Sequence, residues 1–173
     1  FLLILCVTLM TKFELTQKLD HILYDFFVQN NPLAIPEDIA IIAIDENSLS
    51  TLGQWPWRRS THAELLKQLA PHQTKAIVFD IIFAEPDRLN PEADNALAEA
   101  MAAANNVFIP IHIRPLSNRD SLAEIAPLKK LSDEAVAVGH VHVELDNDGI
   151  ARGLYLREGM GKAYWPAVAQ ATP

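Results

Sequence analysis

The fold is decided by residues 39–46, Ile-Ala-Ile-Ile-Ala-Ile-Asp-Glu, and by residues 76–83, Ala-Ile-Val-Phe-Asp-Ile-Ile-Phe, which repeat the same pattern. Residues 39–44 are continuously apolar and rich in β-branched side chains, a pattern typical of a strand buried on both faces. Each apolar run leads to an aspartate, Asp45 in the first and Asp80 in the second. We therefore predict two buried parallel strands with acidic residues at their carboxyl ends.

Helical patterns separate these strands from each other and from a third one. Thr61 and Glu64 have the spacing of a capping box and predict the start of a helix that ends near Pro71. Asn90-Pro91 predicts an N-cap followed by proline at the first helical position, and Val107 to Ile113 is the third strand. The order β-α-β-α-β predicts an α/β fold with a parallel-rich central sheet flanked by helices.

The two ends of the chain add different elements. Leu15, Leu19, Ile22, Leu23 and Phe26 form an apolar stripe that predicts a long N-terminal helix. Residues 141–145 and 150–156 flank the turn sequence Asp146-Asn-Asp-Gly149 and predict a C-terminal antiparallel hairpin. Residues 164–167 are expected to open a last helix, and residues 114–135 to form loops and one short helix.

Composition limits the class of protein. The net charge of −8 over 173 residues argues against a nucleic-acid partner and against docking on an anionic lipid surface. Cys6 is the only cysteine, so the chain has no internal disulfide. Residues 1–10 carry no charge, and they are either the end of a membrane helix or the apolar start of a core or dimer helix. We expect residues 1–30 to be the end of a membrane helix and a stalk helix. Residues 36–173 are expected to be one α/β domain cut off at its C-terminus.

The candidate site lies at the carboxyl ends of the predicted strands, where open α/β sheets bind ligands. Its residues are four acids, two tryptophans and an arginine: Asp45, Glu46, Asp80, Asp87, Trp55, Trp57 and Arg59. Such an edge can bind a small polar or cationic molecule, or hold a Ca²⁺ or Mg²⁺ ion through carboxylate oxygens. The alternative is structural: the aspartates cap loops, Arg59 pairs with Asp45 or Asp80, and the tryptophans anchor the loop.

Other polar motifs point less clearly to a site. The Asp146–Gly149 segment is similar to the front of a calcium loop, but it lacks the later carboxylate and is better explained as a hairpin turn. His140 and His142 fall on the same side of one strand without an evident third metal ligand. No nucleophile or phosphate-binding motif is present, so no catalytic residue is assigned.

Several segments together resemble a known family. They are residues 39–49, 52–59 and 76–87, supported by Leu23-Tyr-Asp25, residues 139–143 and residues 146–152. They resemble the type-two CHASE domain, a sensory extracellular domain associated with cyclases and histidine kinases. Arg58 departs from the pattern, because the family commonly has a second proline at that point.

The resemblance implies an extracytoplasmic, periplasmic sensory domain held in the bacterial inner membrane by flanking helices. The output module would be a cytoplasmic kinase, a cyclase or a cyclic-dinucleotide enzyme. On this basis we expect an unidentified small-molecule or ion signal at the strand-end edge. We also expect a homodimer, with no cofactor beyond a divalent cation. Binding would shift the packing of the N-terminal helix and of the dimer contact. Two rivals remain open: a metal-dependent hydrolase using Asp45, Glu46 and Asp80, and a ligand-free dimerisation or protein-interaction domain.

Overall fold

A computed structural model describes residues 15–34, 36–88, 90–115, 122–160 and 164–172. The chain divides into two units, Phe1–Ile44 and Asp45–Pro173. The predicted membrane-helix end at residues 1–10 lies outside the described residues. Within the described ranges, none of the helices combines the length and the apolar character needed to cross a bilayer.

The first unit contains the predicted N-terminal helix. Helix α1, Leu15–Asn30, is 16 residues long, and its predicted continuation towards residue 1 lies outside the described residues. The side-chain amides of Asn30 and Asn31 donate to the carbonyls of Phe26 and Phe27, at 2.6 and 3.0 Å, and Pro32 follows. The Phe27 carbonyl also accepts the Asn31 backbone amide at 3.0 Å, so the asparagine side chains add further donors to the last turn of the helix.

The predicted strand at residues 39–44 is wrong. These residues are not in a strand, and within the described ranges no backbone ladder bond engages them. Ile39, Ile41 and Ile42 are 67%, 90% and 61% exposed. A β-branched run expresses its preference only against neighbouring strands that pack on it and accept its hydrogen bonds. The apolar pattern therefore identified a segment with a preference for strand structure, but it did not identify the strand with which that segment would pair.

Five more helices lie in the described residues of the second unit. They are α2 Glu46–Leu52, α3 Arg59–Leu69 with a 3₁₀ turn Ala70–His72, α4 Pro91–Ala104, α5 Lys129–Glu134 and α6 Val168–Ala171. Helix α3 begins two residues before the predicted Thr61, with Arg58 in extended conformation as its N-cap, so the capping box does not form. The prediction for α4 is confirmed, because Asn90 is its N-cap and Pro91 its first residue.

The sheet confirms the α/β class. Its strands are β1 Ile77–Val78, β2 Val107–Pro115, β3 Leu122–Ile125 and β4 Ala137–His140. Strand β2 pairs in parallel with β1, Ile77 opposite Val107, and with β4, Phe108 opposite Ala137. Strand β3 pairs with the far end of β2 in antiparallel orientation. The short strands β5, Arg157–Glu158, and β6, Trp165–Pro166, form a separate antiparallel pair.

The C-terminal hairpin forms at a different place from the one predicted. Between residues 141 and 156 the structure has one antiparallel bridge, Glu144 with Gly153, and no regular strand. The predicted turn is present: the Gly149 amide donates to the Asp146 carbonyl at 2.8 Å, and Gly149 has φ 79°. The last helix starts at Val168 rather than near Tyr164, because Trp165 and Pro166 pair with Glu158 and Arg157 instead.

The core of the second unit lies between the parallel strands and helices α3, α4 and α5. Its largest fully buried side chains come from the three helices and from the strands and loop they cover: Leu66, Leu97, Met101, Leu131, Phe83, Val107 and Ile109. This packing holds the N-terminal ends of α3 and α4 beside the loop that follows β1. That juxtaposition positions the candidate site.

Candidate functional site

Two tryptophans lie on the loop between α2 and α3. The Trp57 indole nitrogen donates to the Gly53 carbonyl at 2.7 Å, and Gly53 adopts φ 93° at the end of α2. The Trp55–Pro56 peptide bond is cis. The Trp55 and Trp57 rings meet edge to face with centroids 5.8 Å apart, a favourable aromatic geometry. Trp55 is 43% exposed and Trp57 is half-buried, so one face of the pair reaches solvent.

His62 joins these rings to the core. Its ring centroid lies 5.8 Å from Trp55, 5.3 Å from Phe83 and 6.0 Å from Phe79. His62 is 3% exposed, and its Nε2 has no hydrogen-bond partner within the described residues. Burial, with a smaller contribution from the nearby Arg59 charge, lowers the pKa of His62 to about 4. At neutral pH the ring is therefore uncharged and packs as one more aromatic side chain.

Arg59 links three segments of the second unit. Its guanidinium lies 4.6 Å from the centre of the Phe83 ring, a cation–π geometry, and its Nη2 donates to the Glu85 carbonyl at 2.9 Å. Its Nε lies 3.4 Å from Asp94 Oδ1 in α4. The other Asp94 oxygen accepts the backbone amide of Asp87 at 3.0 Å. The expected pairing of Arg59 with Asp45 or Asp80 is wrong, because Asp94 takes that place.

We call Trp55, Trp57, Arg59, His62 and Phe83 the tryptophan corner. The structure thus brings together three of the predicted site residues, both tryptophans and the arginine. Asp87 is linked to these residues through Asp94, whose carboxylate accepts a hydrogen bond from the Asp87 backbone amide. The Asp87 carboxylate accepts the Asn90 backbone amide at 3.0 Å, at the start of α4.

Within the described residues, no hydrogen bond or ion pair joins the remaining predicted acids to this group. Asp45 is the N-cap of α2 and accepts the Ser48 amide at 2.8 Å and the Ser48 hydroxyl at 2.5 Å. The Ser48 hydroxyl, and then its amide, lower the pKa of the exposed Asp45 carboxyl. Glu46 begins α2 and Asp80 follows β1, both exposed. In the part of the chain that the structure describes, no three of Asp45, Glu46, Asp80 and Asp87 come close enough to share a metal ion.

Sequence reasoning missed His62, Phe83 and Asp94. His62 follows Arg59 by three positions, so helical spacing placed both on one face and offered a usable signal. Asp94 lies in the first turn of α4, where an acid is expected in any case to complement the helix dipole. Nothing local therefore distinguishes Asp94 as the partner of an arginine in another helix.

Two cavities in the described residues lie elsewhere. One of about 210 Å³ lies between α3 and α4 and is lined mainly by small side chains, including Ala70, Ala96 and Ala100. The other, about 300 Å³, is lined by residues that include Leu69, Gln73 and Thr74. Neither is lined by a residue of the tryptophan corner.

His140, the last residue of β4, and His142, two residues beyond it, have different surroundings. His142 Nδ1 lies 2.7 Å from Glu158 Oε2, and both side chains are mostly buried. His140 is 1% exposed, and within the described residues neither of its ring nitrogens has a hydrogen-bond partner. In the predicted turn, Arg152 binds Asp146 and Asp148, each at 2.7 Å. The two aspartates of the Asp146–Gly149 segment therefore form ion pairs with an arginine.

Comparison with known proteins gives one match. A family model described as "CHASE2 domain" matches residues 2–172, nearly the whole chain. No curated protein and no solved structure matches. The match covers both units of the fold and all residues of the tryptophan corner.

Proposed function

We propose, from the premise that this chain belongs to the CHASE2 family, that it is the extracytoplasmic ligand-binding part of a membrane-anchored bacterial signalling receptor. CHASE2 domains are sensory extracellular domains of signalling receptors, and that sensory role is the chain's own. The periplasmic location and a cytoplasmic kinase, cyclase or cyclic-dinucleotide output module belong to the proposal.

The contacts of Arg59 are the observation that best supports the tryptophan corner as the ligand site. This single side chain contacts Phe83, the Glu85 carbonyl and Asp94, so it connects α3, the loop after β1 and α4. Both tryptophans reach the same place through His62. A ligand that displaces the Trp55–Trp57 loop would therefore disturb the contacts of His62, whose ring also packs on Phe79 and Phe83 in the core.

The chemistry of the corner favours an uncharged or weakly polar ligand with a flat apolar face. Arg59 is already paired with Asp94, and His62 is uncharged at neutral pH, so the corner together with Asp94 has little net charge. The half-exposed Trp55 ring is the surface on which such a molecule can stack. Binding would shift the receptor between two packings only by its different affinity for them, and about 1–3 kcal/mol of coupling gives a graded response.

A thermal-shift screen of the purified chain tests this proposal. The probes are sugars, nucleosides, aromatic amino acids and, separately, MgCl₂ and CaCl₂. A true ligand raises the melting temperature as its concentration exceeds Kd. We expect that rise to disappear in Trp55→Ala and to persist in Tyr155→Ala, a matched loss of an exposed aromatic ring outside the corner.

Three results would count against the proposal. A ligand whose effect survives both Trp55→Ala and Trp57→Ala binds elsewhere. A response to the divalent chlorides alone, lost in Asp80→Asn, would favour the rival metal site, although Asp45, Glu46 and Asp80 are not grouped around one position. If no probe binds while the chain still forms a specific complex with another protein, the ligand-free interaction domain is the better description.

A further inference from the structure

Three buried polar atoms in and beside the tryptophan corner lack hydrogen-bond partners. They are Arg59 Nε, His62 Nε2 and Asp94 Oδ1, and none of them has a partner in the part of the chain that the structure describes. We call them the unpartnered atoms. His62 and Asp94 are only 3% and 4% exposed. Folded proteins leave few buried polar atoms unsatisfied, and a group of them at one place points to a ligand that supplies the missing bonds.

The contact between Arg59 and Asp94 leaves hydrogen-bonding capacity unused. Arg59 Nε and Asp94 Oδ1 lie 3.4 Å apart, so their charges attract each other, but the two atoms do not meet in the geometry of a hydrogen bond. The first atom is a donor and the second is an acceptor. A hydroxyl group both accepts and donates, so hydroxyls can satisfy either atom.

An aromatic surface lies beside these atoms. The Trp55 ring is 43% exposed, and its centroid lies 5.8 Å from that of His62. The Phe83 ring lies 5.3 Å from His62 and 4.6 Å from the Arg59 guanidinium, so both polar side chains adjoin the same ring. The corner therefore combines an exposed ring face with hydrogen-bonding atoms that are not used within the described residues.

We propose that the ligand of the tryptophan corner is a neutral sugar or another cyclic polyol. This inference rests on the proposed function, because it names the ligand class of the same site. A sugar ring has a face of C–H groups, which stacks on Trp55, and hydroxyls around its edge, which bond to the unpartnered atoms. Such a molecule has both the flat apolar face and the absence of charge that the corner favours.

Other ligand classes satisfy the corner less well. A carboxylate is repelled by the Asp94 carboxylate, and an ammonium ion is repelled by the Arg59 guanidinium. An aromatic ring without hydroxyls stacks on Trp55 but leaves the unpartnered atoms unpaired. A site that hydrogen-bonds a hydroxyl strongly rejects the analogue that lacks it, because its buried polar atoms then stay unsatisfied.

The Trp55–Trp57 loop controls access to the unpartnered atoms. These atoms are shielded from solvent, and both tryptophan rings pack on His62, with centroids 5.8 and 6.4 Å away. Within the described ranges, residues 54–57 form no backbone–backbone hydrogen bond, and the Trp57 indole bonds to Gly53 at the start of the same loop. Ring contacts therefore hold the loop in place, and the sugar reaches the unpartnered atoms by displacing it.

Isothermal titration calorimetry of the purified parent chain tests the ligand class. The probes are the methyl glycosides of glucose, galactose and mannose, and myo-inositol, with indole as a ring that has no hydroxyls. We expect one of the polyols to bind at millimolar concentration or below, and indole to bind more weakly. Among the monodeoxy analogues of that polyol, at least one should bind about tenfold or more weakly, because it lacks a hydroxyl that pairs with a buried atom. This comparison does not depend on the stability of a variant.

Variants locate the sugar at the corner. Trp55→Ala should weaken binding about tenfold, and Trp55→Phe less, because the smaller ring still stacks. His62→Leu keeps the volume but removes Nε2, and it should weaken binding about three- to tenfold. Tyr155→Ala is the matched control, since it removes an exposed ring outside the corner, and it should bind like the parent chain.

The failure of this inference and the failure of the proposed function are distinguishable. If an aromatic amino acid or a nucleoside binds, loses affinity in Trp55→Ala and no polyol binds, the corner is the ligand site but its ligand is not a sugar. If a polyol binds the parent chain and Trp55→Ala equally, it binds elsewhere and both ideas fail for that ligand. Equal affinities for a polyol and all its monodeoxy analogues, or no binding of any polyol at millimolar concentration, would overturn the inference.

Discussion

Arg59 Nε lies 3.4 Å from Asp94 Oδ1, and this contact joins the first residue of α3 to the first turn of α4. Both side chains are largely buried, with 16% and 6% of their surface exposed. Their charges are therefore poorly hydrated, and each charge is stabilised by the opposite charge of its partner. The pair holds the loop after β1 in place, because Arg59 also bonds Glu85 and Asp94 also accepts from Asp87.

Removing one member of this pair should be costly. Asp94→Ala leaves the Arg59 charge buried without its counter-ion and should lower the free energy of unfolding by about 3–4 kcal/mol in urea titrations. Combining it with Arg59→Leu should cost less than the sum of the two single changes, because neither charge then remains unpaired. Arg88→Ala is the control: its ion pair with Glu85 is exposed, and its loss should cost less than about 1 kcal/mol. If Asp94→Ala costs no more than Arg88→Ala, the pair does not support the fold.

His62 should make stability depend on pH under mildly acidic conditions. Its pKa is lowered to about 4 in the folded chain, against about 6.5 when unfolded, so the unfolded chain binds more protons between these values. Stability should therefore be complete above pH 6.5 and fall as the pH drops towards 4, by roughly 2–3 kcal/mol in total.

The measurement is the free energy of unfolding against pH for the parent chain and for His62→Leu, a side chain of similar volume that does not titrate. The slope between pH 4 and 6.5 should flatten in His62→Leu. His72→Gln, at an exposed site on the 3₁₀ turn, should keep the parent slope. A parent-like slope in His62→Leu would assign the pH dependence to other groups.

Gly139 in β4 has no room for a side chain. A Cβ at this position would lie 2.6 Å from the Val168 Cα, 2.8 Å from the Val168 nitrogen and 2.9 Å from the Pro166 carbonyl oxygen. All three contacts are backbone atoms, so relief requires β6 and α6 to move. Gly139→Ala should lower the free energy of unfolding by about 2–3 kcal/mol. Gly153→Ala, where no atom lies within 4 Å of the new Cβ, should change it by less than about 0.5 kcal/mol. Similar melting temperatures for the two variants would contradict the packing of α6 on β4.

Arg152 should control the order of the turn at residues 146–149. Its guanidinium binds Asp146 and Asp148, each at 2.7 Å, and only 9% of the arginine side chain is exposed. Arg152→Gln removes these charge-assisted bonds, at a cost of about 1–2 kcal/mol.

Hydrogen–deuterium exchange read by mass spectrometry checks this locally. Peptides covering residues 141–156 should exchange faster in Arg152→Gln, while peptides from α4 stay unchanged. Lys129→Gln, which removes an exposed ion pair with Asp133, should alter neither region. Unchanged exchange in residues 141–156 would mean that the backbone bonds of the turn suffice.

Local sequence signals, such as capping residues and apolar runs, correctly predicted several helix ends and strands. Helix α4 begins at Asn90-Pro91 as expected, α1 ends at Asn30, and the apolar runs at residues 77–78 and 107–115 pair in parallel. The run at residues 39–44 has the same composition but no ladder partner among the described residues. Apolar composition records a tendency to be buried, and pairing requires a second segment that the run itself does not specify.

The candidate site divides in the same way. The sequence by itself determined the CHASE2 family, the α/β alternation of the second unit, and the closeness of Trp55, Trp57 and Arg59 on one loop and helix start. Only the tertiary structure decided that Arg59 meets Asp94, that His62 is buried uncharged between aromatic rings, and that Asp45 caps a helix. These facts depend on which distant segments pack together, and burial, ion pairing and pKa are properties of that packing rather than of any stretch of sequence.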